Sequence, residues 1–245
     1  MSKKYALVTG SSSGFGKEIS LSLIEDGYIV YGIARRKYLL EATFRGVKNF
    51  IPIALDIADK ESVKKWYKEN AYIRFNILVN NAGIALGSDK FHKLDWADIE
   101  TVINTNILGL AHLTWLYCND LENIQDPYII NIGSVAGSYS YPNSNIYGAS
   151  KAFVSMLSSN LRSDYHDIKL RVTTIEPGLA RTEFTLKRFK GNSKAENTLY
   201  EGIDHLKAKD IASVIKYLVS LPPDINISQV EIVPTAQANE PFLFS

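Results

Sequence analysis

The stretch "VTGSSSGFGKEI" (residues 8–19) joins a short apolar run, "YALV" (5–8), to a segment that reads as a helix from residue 15. Gly10, Gly14 and Gly16 sit where a chain leaving a strand must turn sharply into that helix. Glycine adopts backbone angles that side chains forbid, and its missing Cβ lets backbone approach a bulky anion. The helix start brings unpaired N–H donors and a favourable dipole to the same point. A pyrophosphate fits that combination, and Ser11, Ser12 and Ser13 add hydroxyls to the turn. An ordinary strand-to-helix turn shares the composition; the position between strand and helix favours the phosphate-binding reading.

Outward from that turn, β-rich runs alternate with helical stretches. Strands are expected at 5–8, 28–33, 50–55, 76–80, 128–132, 170–175 and 229–233. Helices are expected at 15–26, 60–70, 97–122, 148–165 and 208–220. Several of the strand runs are apolar at nearly every position, which marks burial on both faces. Strand alternating with helix predicts an α/β fold of Rossmann type, a doubly wound parallel sheet. No repeat, linker or low-complexity tract interrupts residues 1–245, so a single domain is expected. Residues 179–207, "LARTEFTLKRFKGNSKAENTLYEGIDHLK", break the rhythm, being polar and only weakly periodic. They leave from the carboxyl end of a strand, where ligands sit in such sheets, and read as a substrate-covering segment. A surface excursion without a role is the alternative.

A hydrophobic share of 46% supplies one sizeable core, and a net charge of +1 argues against nucleic acid or an anionic membrane as partner. The one cysteine, Cys118, excludes an intramolecular disulfide and a Cys-rich zinc site, and no metal is expected. Its apolar neighbours favour a structural thiol over a nucleophile. The run after "MSKK" is too short for a signal-peptide core, and no window has the apolar length of a membrane span. A soluble, cytoplasmic protein is expected.

Five further features stand in a telling order. "TGSSSGFG" (9–16) is followed by "NNAG" (80–83), Ser134, "YGASK" (147–151) and "EPG" (176–178). With these in this order over nearly the whole chain, the sequence resembles the short-chain dehydrogenase/reductase family. The resemblance implies a nicotinamide cofactor held along Gly10, Ser12, Ser13, Gly14, Phe15 and Gly16. It also implies that Asn81, Ala82 and Gly83 border the cofactor, and that Asp56 meets the adenine amino group while Ile57 packs the ring. As an alternative, Asp56 caps the helix near residue 60, although Asp59 is better placed for that. Pro177 and Gly178 shape a turn from which, by the same resemblance, Leu179 and Thr182 reach the carboxamide and phosphates.

The end of the second strand, "YGIARRKYL" (31–39), chooses between cofactors. NAD asks for an acid there to accept from the ribose 2′-hydroxyl, whereas NADP asks for cations around the 2′-phosphate. Arg35 and Arg36 stand at that position with no carboxylate nearby, and guanidinium forks suit phosphate oxygens. NADP is therefore the expected cofactor, the alternative being two solvated arginines opening the next helix.

Hydride chemistry at a carbon bearing oxygen needs a group that moves the hydroxyl proton. A tyrosine with a pKa of roughly 10 is mostly the wrong species for a base at neutral pH, and a nearby ammonium lowers that value. Tyr147 and Lys151, at i and i+4, share one helical face. By resemblance Lys151 also holds the nicotinamide ribose. Ser134, just past the fifth strand, is placed to hold the substrate oxygen. Asn106, in "INTNILG" (103–109), matches the family's helix-borne asparagine, which anchors a water beside the lysine. Asn104 competes, and spacing to Gly109 favours Asn106. Turn former for Ser134 and satisfied buried group for Asn106 remain the plain alternatives.

Within the family, the sequence is similar to NADP-dependent 3-hydroxy acid dehydrogenases. "NNAGIALG", "GSVAGSYSYPNSNIYGASKAF", "LRVTTIEPGLARTEF", "RFKG" and "INISQVEIVPTAQ" carry that likeness, with "PGLARTEF" about a residue shorter than that group's turn. It implies a small-molecule substrate of the serine, L-allo-threonine or 3-hydroxypropionate type. Such a substrate needs a cation for its carboxylate. Arg181, Lys187, Arg188 and Lys190 are the candidates, and Arg188 in "RFKG" is selected. Ile84, Leu86, Tyr139 and Tyr141 are expected pocket walls. A general carbonyl or 3-oxoacyl reductase, or a non-catalytic NADP(H) sensor, are the competing functions. Apolar residues on more than one face of the helices at 97–122 and 148–165, among them Trp115, Phe153, Met156 and Leu157, suggest burial against a partner subunit; the resemblance implies a homotetramer, and a thick monomer core is the alternative.

Overall fold

Each central strand divides its apolar residues between two faces, and both faces need a helical cover. The computed structural model describes residues 3–238; of the tail "ANEPFLFS" only Ala238 falls within them. The first half runs β1 (Lys4–Thr9), α1 (Gly14–Glu25), β2 (Tyr28–Ala34), α2 (Lys37–Thr43), β3 (Phe50–Ala54), α3 (Lys60–Glu69) and β4 (Ile77–Asn80). The second half runs α4 (Trp96–Ile103), a π-helical segment (Asn104–Gly109), α5 (Leu110–Cys118), β5 (Tyr128–Ile132), α6 (Asn145–Asp164) and β6 (Arg171–Pro177). It closes with α7 (Glu183–Arg188), α8 (Ser193–Tyr200), α9 (Ala208–Ser220) and β7 (Gln229–Ile232).

The strands form one parallel sheet in the order β3-β2-β1-β4-β5-β6-β7. Side chains alternate along it: Ala6, Val8, Ile77, Val79, Tyr128 and Ile130 join one core, and Leu7, Leu78 and Ile129 the other. On the first face α1 contributes Ile19 and Leu23, and α9 contributes Ile211, Ile215 and Leu218. On the second lie Val63 and Tyr67 of α3, Leu113 and Tyr117 of α5, and Leu161 of α6. Pro52 sits in β3, at the sheet edge, where its missing N–H costs no internal ladder bond. Among the described residues no helix is long and apolar enough to cross a membrane.

Three departures from the sequence reading have local causes. The helix expected over 97–122 splits into α4 and α5 around the π-helical segment, where the buried Asn106 turns inward and Asn104 outward. Residues 179–207 are not irregular throughout, since α7 and α8 lie within them. Both are too short for a period of 3.6 residues to register. The unexpected α2 buries only Leu40, a single apolar anchor that leaves no periodic trace.

Polar groups tie the helices to the sheet beneath the carboxyl ends of the strands. Asn80 Nδ2 donates to Asn131 Oδ1 at 2.8 Å and to Thr114 Oγ1 at 2.9 Å, linking β4, β5 and α5. Asn131 Nδ2 donates to Ser158 Oγ of α6 at 2.8 Å. Replacing Asn131 by leucine keeps the volume and deprives both neighbours of a partner. Asn131→Leu is expected to destabilise the fold by about 1–3 kcal/mol, read from the midpoint of urea unfolding.

Candidate active site

β1 and β4 are neighbours whose following helices pack on opposite faces of the sheet, which opens a crevice at their carboxyl ends. The glycine-rich turn forms one wall. Gly14 has φ +54°, the left-handed region. Gly16 admits no side chain, because a Cβ there would lie 2.3 Å from the Gly10 carbonyl oxygen and 2.5 Å from Asn81 Nδ2. Asn81 is stitched to β1, its Nδ2 donating to Thr9 O at 2.8 Å while Thr9 Oγ1 accepts from the Asn81 and Ala82 amides at 3.0 and 2.9 Å.

At the end of β2, Arg35 and Arg36 both line this cavity. Arg35 lies 3.9 Å from Asp56, and Arg36 lies 3.6 Å from Glu183 of α7. Asp59, not Asp56, caps α3, accepting from the Ser62 amide at 3.1 Å. Asp56 accepts from the Ala58 amide at 3.0 Å and faces the cavity beside Ile57. The donor set fits NADP: a glycine turn that leaves the α1 amides open, and two guanidinium groups where a 2′-phosphate would lie.

Tyr147, Lys151, Ser134 and Asn106 converge farther along the crevice. Tyr147 stands in the first turn of α6 with its ring centroid 5.8 Å from Lys151 Nζ. Ser134, hydrogen-bonded to the Tyr147 phenol, also accepts from the Ala136 amide at 3.1 Å, so it shapes its own turn as well. Lys151 is buried and donates to the Ile132 carbonyl at 2.7 Å. Asn106 accepts from the Ile84 amide at 2.9 Å and donates to Ile84 O at 2.8 Å and Ser150 Oγ at 3.0 Å. Ser150 in turn donates to Tyr147 O at 2.7 Å, so Asn106 braces the start of α6.

The electrostatics differ from the sequence expectation. Burial pushes the Tyr147 phenol up to about 12, against the Ser134 hydrogen bond and the Arg188 charge, which favour phenolate; Tyr141 adds to the rise. Lys151 is not among the groups that lower it. Burial instead brings the Lys151 ammonium down to about 8. Both groups are pressed toward their neutral forms because the site removes them from water faster than it supplies opposite charge.

Arg188, at the last turn of α7, donates to Tyr141 Oη at 3.0 Å and to Asn143 O at 3.3 Å. Its Cζ lies 5.8 Å from the Tyr147 ring centroid, and its buried Nε has no partner among the described residues. Of the residues expected to bind cofactor or substrate or to carry the chemistry, the cavity wall holds all but Gly16, Ser134 and Asn106; of the candidate cations it takes Lys187 and Arg188 but not Arg181 or Lys190, and of the expected pocket walls Ile84 and Tyr141 but not Leu86 or Tyr139. Glu183, Phe184, Thr185, Leu199 and Tyr200 line it without having been singled out. Thr182 before an acid and an aromatic, an N-cap pattern, was the available signal for α7. Cys118 lies away from this wall, and burial holds its thiol up at about 11, in the unreactive form.

Between pH 8 and the ordinary lysine value of 10.5, the unfolded chain binds a proton at Lys151 that the folded chain lacks. Stability contributed by this residue therefore rises with pH across that window. The unfolding free energy of the wild type relative to Lys151→Met is expected to be level below pH 8 and to climb toward pH 10.5. Urea titrations at a series of pH values check this; a level difference throughout would refute the depressed pKa.

Residues 4–193 match the short chain dehydrogenase family. The chain is 40% identical over 235 residues to the serine 3-dehydrogenase of Rhizobium radiobacter, covering 95% of this chain and 94% of that protein. It is 39% identical over 237 residues to an NADP-dependent 3-hydroxy acid dehydrogenase of Escherichia coli, covering 95% of each. The closed form of a serine dehydrogenase complexed with NADP+ superposes with a TM-score of 0.91 at 37% identity, covering 96% of both chains. With the glycine turn, the seven-stranded sheet order and this extent of similarity in agreement, the chain belongs to the short-chain dehydrogenase family.

Proposed function

We propose that this protein is an NADP-dependent oxidoreductase that moves a hydride between the nicotinamide and the 3-carbon of a small 3-hydroxy acid of the serine, L-allo-threonine or 3-hydroxypropionate type. The observation that carries this reading is Arg188: a fixed guanidinium with a free buried Nε, beside Tyr147. A 3-hydroxy acid carries its carboxylate separated from the reacting carbon by a single carbon, so both ends are served at once. The named activities of the relatives agree with that substrate class.

The nicotinamide, when bound, supplies or accepts the hydride. Tyr147 holds a proton at its phenol oxygen, donates it to the substrate oxygen in reduction and takes it back in oxidation. Ser134 holds the same oxygen and shares charge as it develops. Lys151 places a positive charge beneath the tyrosine and reaches the ribose, and the Asn106–Ser150 bonds keep the start of α6 in register. Arg188 and Tyr141 orient the carboxylate. The segment 179–207 acts as the cover: α7 and α8 overlie the cavity, and Lys190 is tied to Asp98 of α4 at 2.6 Å. A homotetramer completes the proposal, supported by exposed Leu108, Trp115 and Met156 on the helical face that includes α5 and α6.

An NADP+-reduction assay with L-serine, L-allo-threonine, 3-hydroxypropionate and 3-hydroxyisobutyrate, repeated with NAD+, tests the function. Turnover of simple ketones or acyl thioesters with none of the hydroxy acids would replace it by the general carbonyl reductase reading. Binding of NADP(H) without turnover of any candidate would replace it by the sensor reading. Tyr147→Phe is expected to lower kcat by roughly 10²–10⁴-fold with NADP+ still bound. Arg188→Ala is expected to raise KM for the hydroxy acid by about tenfold or more while leaving the Kd for NADP+ nearly unchanged. In sedimentation, Trp115→Glu combined with Met156→Glu is expected to shift a tetramer to smaller species; an unaltered mass would place the interface elsewhere.

A further inference from the structure

α7 adds two charged side chains to the corner of the cavity occupied by Arg35 and Arg36. Glu183 and Lys187 lie one helical turn apart. The Glu183 Oε2 stands 3.6 Å from Arg36 Nη2 and 3.9 Å from Lys187 Nζ. Lys187 also feels both arginines, and its pKa is lowered by burial first and then by Arg36, with Glu183 opposing. Glu183 thus contacts two cations from separate elements, Arg36 and Lys187, with Arg35 beside them paired to Asp56 at 3.9 Å, and all five residues line the cavity. Side-chain exposures of 40% for Arg36, 51% for Glu183 and 44% for Lys187 leave the cluster open to a ligand and its ion pairs weak. Lys187 and Arg188 are consecutive, about 100° apart around the helix. The second reaches Tyr141 beside Tyr147 while the first stays at the end of β2.

We propose that α7 supplies half of the 2′-phosphate reader: Lys187 is a third cation for the phosphate and favours NADP over NAD, and Glu183 is a carboxylate that competes with the phosphate for Arg36 and Lys187 and so tempers that preference. This rests on the NADP reading above. A phosphate dianion with three acceptor oxygens displaces a single half-exposed carboxylate from such cations. The neutral 2′-hydroxyl of NAD does not contend for these cations, so Glu183 leaves NAD binding nearly unchanged. Lys187 is thereby separated from the substrate carboxylate, which is left to Arg188. The lid helix meets a different anion at each of two adjacent residues.

Calorimetric titration of NADP+ and NAD+ into the full-length wild type, Lys187→Gln, Glu183→Gln and Arg36→Gln tests the assignment, with thermal midpoints confirming folding. Lys187→Gln is expected to weaken NADP+ binding by roughly three- to tenfold and NAD+ by less than about twofold, with Lys187→Arg restoring the loss. Glu183→Gln is expected to tighten NADP+ by roughly threefold or more and to leave NAD+ nearly unchanged. Equal effects on both cofactors, or none, from the two lid variants would overturn the inference. If Arg36→Gln removes the NADP preference while Lys187→Gln does not move it, the lid reading alone fails. A wild type that shows no preference for NADP+ defeats the underlying cofactor reading instead.

Discussion

A parallel sheet must be covered on both faces, and the chain satisfies that requirement by sending the helices after β1 and β4 to opposite sides. The two strands lie side by side, so their departing connections diverge and leave a crevice at the carboxyl ends. Every group discussed as functional is hung on the rim of this gap. The contact at Gly16, which would put a Cβ 2.3 Å from the Gly10 carbonyl oxygen, holds α1 close enough for its first amides to face the gap. The Thr9–Asn81 bonds fix the opposite rim to the same strand. Cofactor wall and catalytic wall therefore share one frame.

The π-helical segment is the second device in that frame. Its widened turn carries Asn106 into contact with both backbone groups of Ile84 and with Ser150. Its tight approach also leaves no room at Gly109, where a Cβ would lie 2.7 Å from Ile57 O. The chain after β4, the helix after it and the start of α6 are thus held together by one amide. Above them, burial keeps Tyr147 protonated and depresses Lys151 to about 8. In the proposed reaction such a tyrosine would donate a proton in reduction, and the oxidative direction would ask for added positive charge to draw the proton off. Arg188, which already lowers the Tyr147 pKa in opposition to burial, is one source of it.

Segment 179–207 meets the rest of the fold through apolar contacts of Ala180, Phe184 and Leu206 and through charged and polar ones. Lys190 reaches Asp98, Arg188 reaches Asn143, and Glu183 reaches Arg36. Such exposed pairs are individually weak, as the cover proposed for residues 179–207 would need. Thr185 and Tyr200, hydroxyls at 2.5 Å, join α7 to α8, so the two short helices share an internal tie as well as their contacts to the rim.

Order and chemistry along the chain were legible before any coordinates. Short runs apolar at nearly every position, set between helices, announce the doubly wound sheet, and "TGSSSGFG", Arg35, Arg36, Tyr147 and Lys151 announce what it can hold. These signals are local, spanning a strand, a turn or one helical face, so the sequence by itself determined them. The split of the 97–122 helix, the two helices inside 179–207 and the neutralising pressure on Tyr147 and Lys151 were not legible. Each depends on neighbours distant in the chain: Ile84 for Asn106, the cavity rim for α7, and the surrounding packing for the two pKa values. The same holds for the meeting of Glu183 with Arg36, residues roughly 150 positions apart that only the tertiary fold brings to within ion-pair distance.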